Sequence, residues 1–511
     1  MPPKTRDFFA DPDYVLWDQN EAKSEAWRKS VLQMDVYRGI VELIRKYRPG
    51  EPAELHRAVV GSFNIVFRLE YKDGKSAVLR VPAKHRSHFP EEKIRYEVAM
   101  MKYIRAHTTI PVPEVYAFGT AAENPLGIGP FIVMEYIDHH RSLGDALSDP
   151  NGDPKKGQIL YPDISEKKLE YLYEQMAAVL LQLYNLDFSR IGSLVLDENK
   201  NGRMQKDVAS VAGRPLILNI NAHADWTSMP RSLLPSGTYT NAEAWYSAMA
   251  DMHMLQLIFQ RNDAVEDEDD VRDKYVARRL FGRLVSSGSI SALFNQVESS
   301  ELQRSAEGST SIQKTGTGPP FKLFSEDLRP TNVLVNEHDK IVAVVDWEFA
   351  YAAPAQFARD PPWWLLLRQP QDWVGGIEAF INAYEPRLGT FVGVLRRCEA
   401  RSGTLHASHH GHEKPLSQHM QESWDKKLWI HSICLRDTWL FDHLFWKYVD
   451  PLFYGSNEDC DYKKRLILLT EKEKDAMERL VKMKMEEKEE EKVVEWEPER
   501  AKALLATFVC D

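Results

Sequence analysis

Phe324-Ser-Glu-Asp-Leu-Arg-Pro-Thr-Asn-Val-Leu-Val-Asn336, followed by Ile341-Val-Ala-Val-Val-Asp-Trp-Glu348, is the stretch whose reading decides the fold. Residues 333–335 and 341–345 are short β-branched runs, and the turn-forming residues 336–340 between them predict a hairpin. The hairpin puts Asp327 in a loop before its first strand and Asp346 at the end of its second. Two oxygen ligands, Asn332 and Asp346, then converge on one side of a cleft, a donor set suited to Mg²⁺ with phosphate oxygens completing its shell. Asp327 stays free to accept the proton of an incoming hydroxyl and aim it at a γ-phosphate. Taken singly, each of the three is more readily an ordinary turn residue of a surface hairpin. It is their order, an acid, an amide five positions on and a second acid after an apolar run, that points to phosphoryl transfer from ATP.

The preceding chain supplies an opposite wall for such a cleft. Residues 55–82 read as a β-meander. The small-residue turn at Gly61 and Ser62 either lets backbone N–H groups approach phosphates or is a plain hairpin turn. Lys72-Asp-Gly-Lys75 is a tight turn into the strand Ser76-Ala-Val-Leu-Arg-Val-Pro82. Alternation puts Val78 and Arg80 on one face, Val78 over an adenine and Arg80 toward its phosphates. A helix over residues 91–105 carries Glu97. Residues 131–137 predict an apolar strand; backbone groups near Glu135 and Ile137 either meet adenine at a hinge or belong to ordinary core. Arg329, two positions past Asp327, either meets negative charge developing on the moving phosphoryl group or braces the loop.

Asp327-Leu-Arg-Pro-Thr-Asn332 resembles the catalytic loop of the kinase-like phosphotransferases of the aminoglycoside phosphotransferase and choline kinase type. Val345-Asp-Trp-Glu-Phe349 is similar to the form that replaces Asp-Phe-Gly in their small-molecule branch, and residues 351–364 are similar to the fungal group. The resemblance runs over residues 55–367 and implies an α+β, bilobal protein-kinase-like fold, with a small β-rich N-lobe and a large, mainly helical C-lobe. It further implies ATP and Mg²⁺ as cofactors, a small-molecule acceptor, and Arg80 in the place of the family's strand lysine, partnered by Glu97. Arg is permanently charged and grips phosphate with two N–H groups, through a wider fork than Lys offers. Ser325 is a second departure, standing where the family usually has a loop-bracing His. Two functions therefore stand: an ATP- and Mg²⁺-dependent phosphotransferase acting on a small-molecule hydroxyl with Asp327 as base, or a catalytically impaired, nucleotide-binding pseudokinase acting as a regulatory or scaffold protein. No long Ser/Thr-bearing segment follows Asp346; Asp360-Pro-Pro-Trp-Trp364 turns quickly into helices, which favours a small acceptor over a protein. Asp360 itself reads as a helix cap or a brace.

The remaining features set limits. With 511 residues, including 13 Trp, 20 Tyr and 21 Phe, there is ample material for a large core. The organisation expected is an N-terminal helical extension over 1–50, an N-lobe over 51–137, a C-lobe over 138–455 containing the loop 323–348, and a charged helical tail over 456–511. A net charge of −11 argues against nucleic-acid binding. No apolar run approaches the ~20 residues of a membrane span. Cys398, Cys434, Cys460 and Cys510 lack metal spacing, and the N-terminus lacks a signal-peptide core, so reduced thiols in a cytoplasmic setting are expected. Helices are predicted over 21–47, 165–186 and 241–261. Glu266-Asp-Glu-Asp-Asp270 reads as a helix start or, less simply, as a cation site near the substrate mouth. Residues 300–320 and the cluster His406, His409, His410 and His412 read as exposed loops, the latter without a second ligand set for a metal. Residues 471–495 alternate Lys and Glu and predict a long solvated helix.

Overall fold

The computed structural model describes residues 9–152, 157–198, 204–295, 321–406 and 414–509. Two helices come first, α1 (Tyr14–Val31) and α2 (Met34–Tyr47), where one helix over 21–47 was expected. Neither Gly nor Pro marks the break at Leu32 and Gln33. Packing forces it, because α2 lays Ile40, Leu43 and Ile44 on a sheet while Asn20 of α1 donates to the Asp225 carbonyl at 3.2 Å. A single straight helix cannot present both faces to both partners.

The sheet grows around the Lys72–Lys75 turn. Gly74 adopts φ +80°, which side chains avoid, and Asp73 accepts the Lys75 N–H at 2.9 Å. Strand β3 (Asn64–Tyr71) therefore returns as β4 (Ser76–Pro82), in a register running from Asn64↔Pro82 to Glu70↔Ser76. Strands β1 (Pro52–Leu55) and β2 (Val59–Val60) pair with β3, while β4 pairs with β6 (Phe131–Glu135) and β6 with β5 (Val115–Gly119), all antiparallel. Alternation along β4 sorts its side chains. Ala77, Leu79 and Val81 join α2 in a small core, whereas Val78 belongs to the main core on the opposite face, with Arg80 beside it. Helix α3 (Pro90–His107) sends Val98, Met101 and Ile104 into that main core.

After residues 136–140 the chain becomes mainly helical. Strand β7 (Arg141–Ser142), α4 (Leu143–Leu147) and α5 (Glu166–Tyr184) come first, and the apolar stripe Leu169, Leu172, Met176, Val179 and Leu183 of α5 is buried. Next come β8 (Asp187–Phe188), β9 (Ser193–Glu198), β10 (Met204–Gly213), α6 (Leu218–Trp226), α7 (Ala242–Phe259) and α8 (Glu268–Ser286). The acidic run opens α8, with Asp267 accepting the Asp270 N–H at 2.8 Å. Strand β11 (Phe321–Ser325) lies between β8 and β14 (Ala350–Ala353), and the expected hairpin forms from β12 (Val333–Val335) and β13 (Ile341–Val344), with β7 on its outer edge. This is the expected mixed α+β architecture, β-rich first and helical later.

One expectation fails at the C-terminus. The helix Glu471–Lys488 is not solvated all round; it docks on α8 through Ala476, Met477, Leu480 and Val481. Lys484 is buried with it, donating to the carbonyls of Ile258 and Gln260 at 2.9 Å and to Glu487 at 2.7 Å. The frequent Lys and Glu residues hid an apolar stripe at helical spacing. The helix Pro498–Phe508 follows and buries Ala501 and Phe508. Residues 300–320, His409, His410, His412 and Cys510 lie outside the described residues, and His406 ends the helix Gly376–His406. Cys398 and Cys434 are free thiols. Among the described residues no helix is long and apolar enough to cross a membrane.

Candidate active site

Asn336 closes the hairpin turn, its amide oxygen accepting the N–H groups of His338 and Lys340 at 3.0 Å each. At the other end the Val345 N–H donates to the Asn332 carbonyl at 2.9 Å, so Asp346 emerges beside Asn332. Asp346 takes φ +65°, a left-handed conformation that side chains rarely adopt and that points to a site holding it there. Its Oδ1 lies 3.3 Å from the Arg80 guanidinium. Asn332 Nδ2 donates to the Asp327 carbonyl at 2.9 Å and to its Oδ2 at 3.1 Å, which ties the loop to the strand. Arg329 Nε stands 3.0 Å from Asp327 Oδ1 and is 43% exposed.

The facing wall is β4 and α3. Arg80 and Glu97 form a buried ion pair, 6% and 1% exposed, and Arg80 also lies 3.6 Å from Glu348. Val78 is buried on the same face. Gly61 donates its N–H within its own turn, to the Asn64 carbonyl at 2.8 Å, and Ser62 is exposed. At the end of β6 the Glu135 N–H donates to the Glu114 carbonyl at 2.8 Å, and the Ile137 carbonyl meets His139 Nδ1 at 2.8 Å. Asp360 braces two helices, accepting from Gln356 at 2.7 Å and from Ser423 at 2.6 Å.

Three members of the cluster escaped sequence reasoning. Lys93 Nζ pairs with Glu348 at 2.7 Å and reaches the Phe63 carbonyl at 3.4 Å, and Asn64 Nδ2 donates to Glu348 at 3.0 Å. A signal for Lys93 existed, since it precedes Glu97 by one helical turn on the same face of α3. Glu348 and Asn64 had none, being 284 residues apart in the chain.

The electrostatics follow from burial. Burial lifts the Asp327 carboxyl above its usual range, with Arg329 pulling it down and Glu348 pushing it up. Asp346 is raised by burial and then by Glu348, against Arg80. Burial opposes ionisation of Glu348 too, but Lys93 and Arg80 outweigh it and hold that carboxyl low. Among the described residues the cations paired with Glu97, Asp346 and Glu348 are Arg80 and Lys93, a buried cluster with one acid in excess. A divalent cation would fit this balance, and Asp346 and the Asn332 amide oxygen are the groups that would hold it. That oxygen takes no hydrogen bond among the described residues, which also contain no ready-made group of three His, Cys, Asp or Glu ligands. Mg²⁺ commonly takes one or two carboxylates and leaves the rest of its shell to water and phosphate.

Residues 57–218 match the phosphotransferase enzyme family, APH. The resemblance seen in the loop is thereby met independently, because the APH match takes in Arg80 and Glu97 and ends before Asp327. Altered inheritance of mitochondria protein 9 of Zygosaccharomyces rouxii is 30% identical over 180 residues, 35% of this chain and 27% of that protein. Its namesake in Clavispora lusitaniae is 23% identical over 322 residues, 59% of this chain and 48% of that protein. The chain spans less than half the length of these relatives. Both are named as mitochondrial, which does not fit a plain cytoplasmic expectation. Among solved structures, macrolide 2'-phosphotransferase type I overlays with a TM-score of 0.38 at 11% identity, over 86% of this chain and 99% of that chain.

Proposed function

We propose that the protein is an ATP- and Mg²⁺-dependent phosphotransferase that phosphorylates a hydroxyl of a small molecule. The observation that carries this reading is the meeting of Asp327, Asn332 and Asp346 at one end of a hairpin, opposite the buried Arg80–Glu97 pair. Asp327, oriented by Asn332 and Arg329, takes the proton of the acceptor hydroxyl; a carboxyl raised by burial is a better base than an exposed one. Asp346 and the Asn332 amide oxygen hold Mg²⁺, which when bound neutralises phosphate charge. Arg80, kept in place by Glu97, faces the phosphates, and Arg329 meets charge developing on the transferred group. Val78 lies against the base, the Gly61–Ser62 turn borders the phosphates, and backbone groups at Glu135 and Ile137 meet the adenine edge.

Mg-ATP affinity and slow ATP turnover, measured for wild type and for Asp327→Ala, test this directly. Turnover lost with affinity retained supports the enzyme, and absence of Mg-ATP binding sinks it. One observation favours the pseudokinase: Arg80 already faces three acids, Glu97, Asp346 and Glu348, so little of its charge is left for a phosphate. Binding without turnover against a broad metabolite panel selects that second reading.

A further inference from the structure

Beside the loop lies a cavity of about 420 Å³ whose chemistry phosphoryl transfer does not by itself require. Ser325, Glu326 and Leu328 form one side, and Phe63, from the turn before β3, another. Much of the rest is indole, from Trp226, Trp363, Trp424, Trp429 and Trp439. Trp226 meets Trp439 edge-on at 4.7 Å. Trp424 stacks on Trp429 at 5.2 Å and on Tyr384 at 4.8 Å, so its own ring already has two aromatic neighbours where a cation would sit.

The fixed charges at this cavity are engaged by the protein. Arg86 pairs with Asp225 at 3.0 Å, and Asp437 accepts the N–H groups of Trp439 at 2.9 Å and Leu440 at 3.2 Å. Arg436 lies over Phe324 at 5.0 Å and Phe357 at 5.1 Å, where it offsets the charges of Glu326, Asp360 and Asp437. Glu326 Oε2 accepts the Leu218 N–H at 2.8 Å. Four buried oxygens of lining residues remain without hydrogen-bond partners among the described residues, Ser325 Oγ, Glu326 Oε1, Asp360 Oδ2 and Gln371 Oε1, and the first two belong to the two residues that precede Asp327.

An unsatisfied buried oxygen destabilises the folded chain, a loss that a ligand hydroxyl reaching it recovers. A hydrophilic polycation loses hydration against the indoles, and the four lining carboxylates that would attract it, Asp225, Glu326, Asp360 and Asp437, are already offset by Arg86 and Arg436. A bulky apolar alcohol gains in proportion to the ring surface removed from water there. Resting on the phosphotransferase reading, we propose that the acceptor is a neutral, largely apolar, multi-ring alcohol. Its rings lie against the Trp424–Trp429 wall and its hydroxyl end reaches Ser325 and Glu326, beside Asp327. In the transfer the alcohol oxygen bonds to the γ-phosphorus as the bond from that phosphorus to the β–γ bridging oxygen breaks. The hydroxyl proton passes to Asp327, and ADP leaves with the electron pair.

Calorimetric titration of the full chain with estradiol, a neutral fused-ring alcohol, alongside choline and kanamycin, provides the test. Estradiol is expected to bind saturably while choline and kanamycin do not. Ala222→Trp, which fills the cavity from α6, and Ser325→His, which crowds its loop side, should each weaken estradiol at least tenfold while Mg-ATP affinity stays within twofold. Circular dichroism identifies a variant that fails to fold, and the other variant then decides. No estradiol binding, preferential binding of either cation, or estradiol affinity untouched by a folded variant overturns the proposal. Failure of Mg-ATP to bind wild type sinks the phosphotransferase reading and with it the acceptor role, whereas failure of estradiol alone sinks only the acceptor class, because estradiol binding and its loss in Ala222→Trp are read without nucleotide.

Discussion

Two regions meet at Asp327 and differ in how they satisfy their polar atoms. In the cleft between the sheet and the hairpin, Arg80, Lys93, Glu97, Glu348 and Asn64 are buried and held to one another by direct contacts. In the neighbouring cavity the walls are mainly apolar, with many aromatic rings, and Ser325 Oγ and Glu326 Oε1 are among the lining oxygens that have no partner among the described residues. Charges in a low-dielectric interior must be paired in advance, whereas an apolar wall asks only for shape and area. The difference teaches that the cluster balances its charges by ion pairs within the protein, leaving Asn64 Oδ1 and Arg80 Nε without a partner among the described residues, while the cavity leaves several lining oxygens unmatched.

The contrast can be broken most sharply at Asp346, a proposed metal ligand. Asp346→Ala should cut ATP turnover at least ~10³-fold, since it removes transition-state charge stabilisation; ADP release measures it, and retained turnover would place the chemistry elsewhere. Lys93→Met leaves Glu348 buried and short of a cation, at a cost of about 3 kcal/mol in the urea midpoint. A neutral result there would mean that the cleft is not electrostatically preset.

On the cavity side, burial pushes Glu326 up from 4.5 to about 7, with Arg436 opposing. The folded state then holds this proton more tightly than the unfolded chain does, so stability falls as pH rises from 4.5 to about 7 and levels off above it. Glu326→Gln, which never ionises, should be more stable than wild type at pH 8 by on the order of 2 kcal/mol, with the gap closing by pH 5 in thermal melts. The smallest effect is expected at Arg329→Gln. Its 43% exposure leaves the pair with Asp327 worth under about 1 kcal/mol of stability, so a melt should barely move while turnover falls.

Much of the site was legible because its geometry is local. The hairpin, the Gly74 turn and the alternation of Val78 and Arg80 depend on residues a few positions apart, and spacing alone brings Asp327, Asn332 and Asp346 to one end of two strands. The stripe on α5 was equally plain. By contrast, the break between α1 and α2, the docking of Glu471–Lys488 on α8 and the Lys93–Glu348 pair have causes remote in the chain.

The amino-acid order by itself determined the strands, the helices and the sequence of acid, amide and acid that suggests phosphoryl chemistry. Backbone hydrogen bonding and side-chain periodicity act over one or two turns, so they are written in neighbouring residues. Only the tertiary structure decided that Asn64 and Lys93 grip Glu348, and that indoles from residues 226, 363, 424, 429 and 439 line one cavity. Those contacts come from burying apolar area and pairing buried charge, forces that depend on distance in space and carry no spacing along the chain.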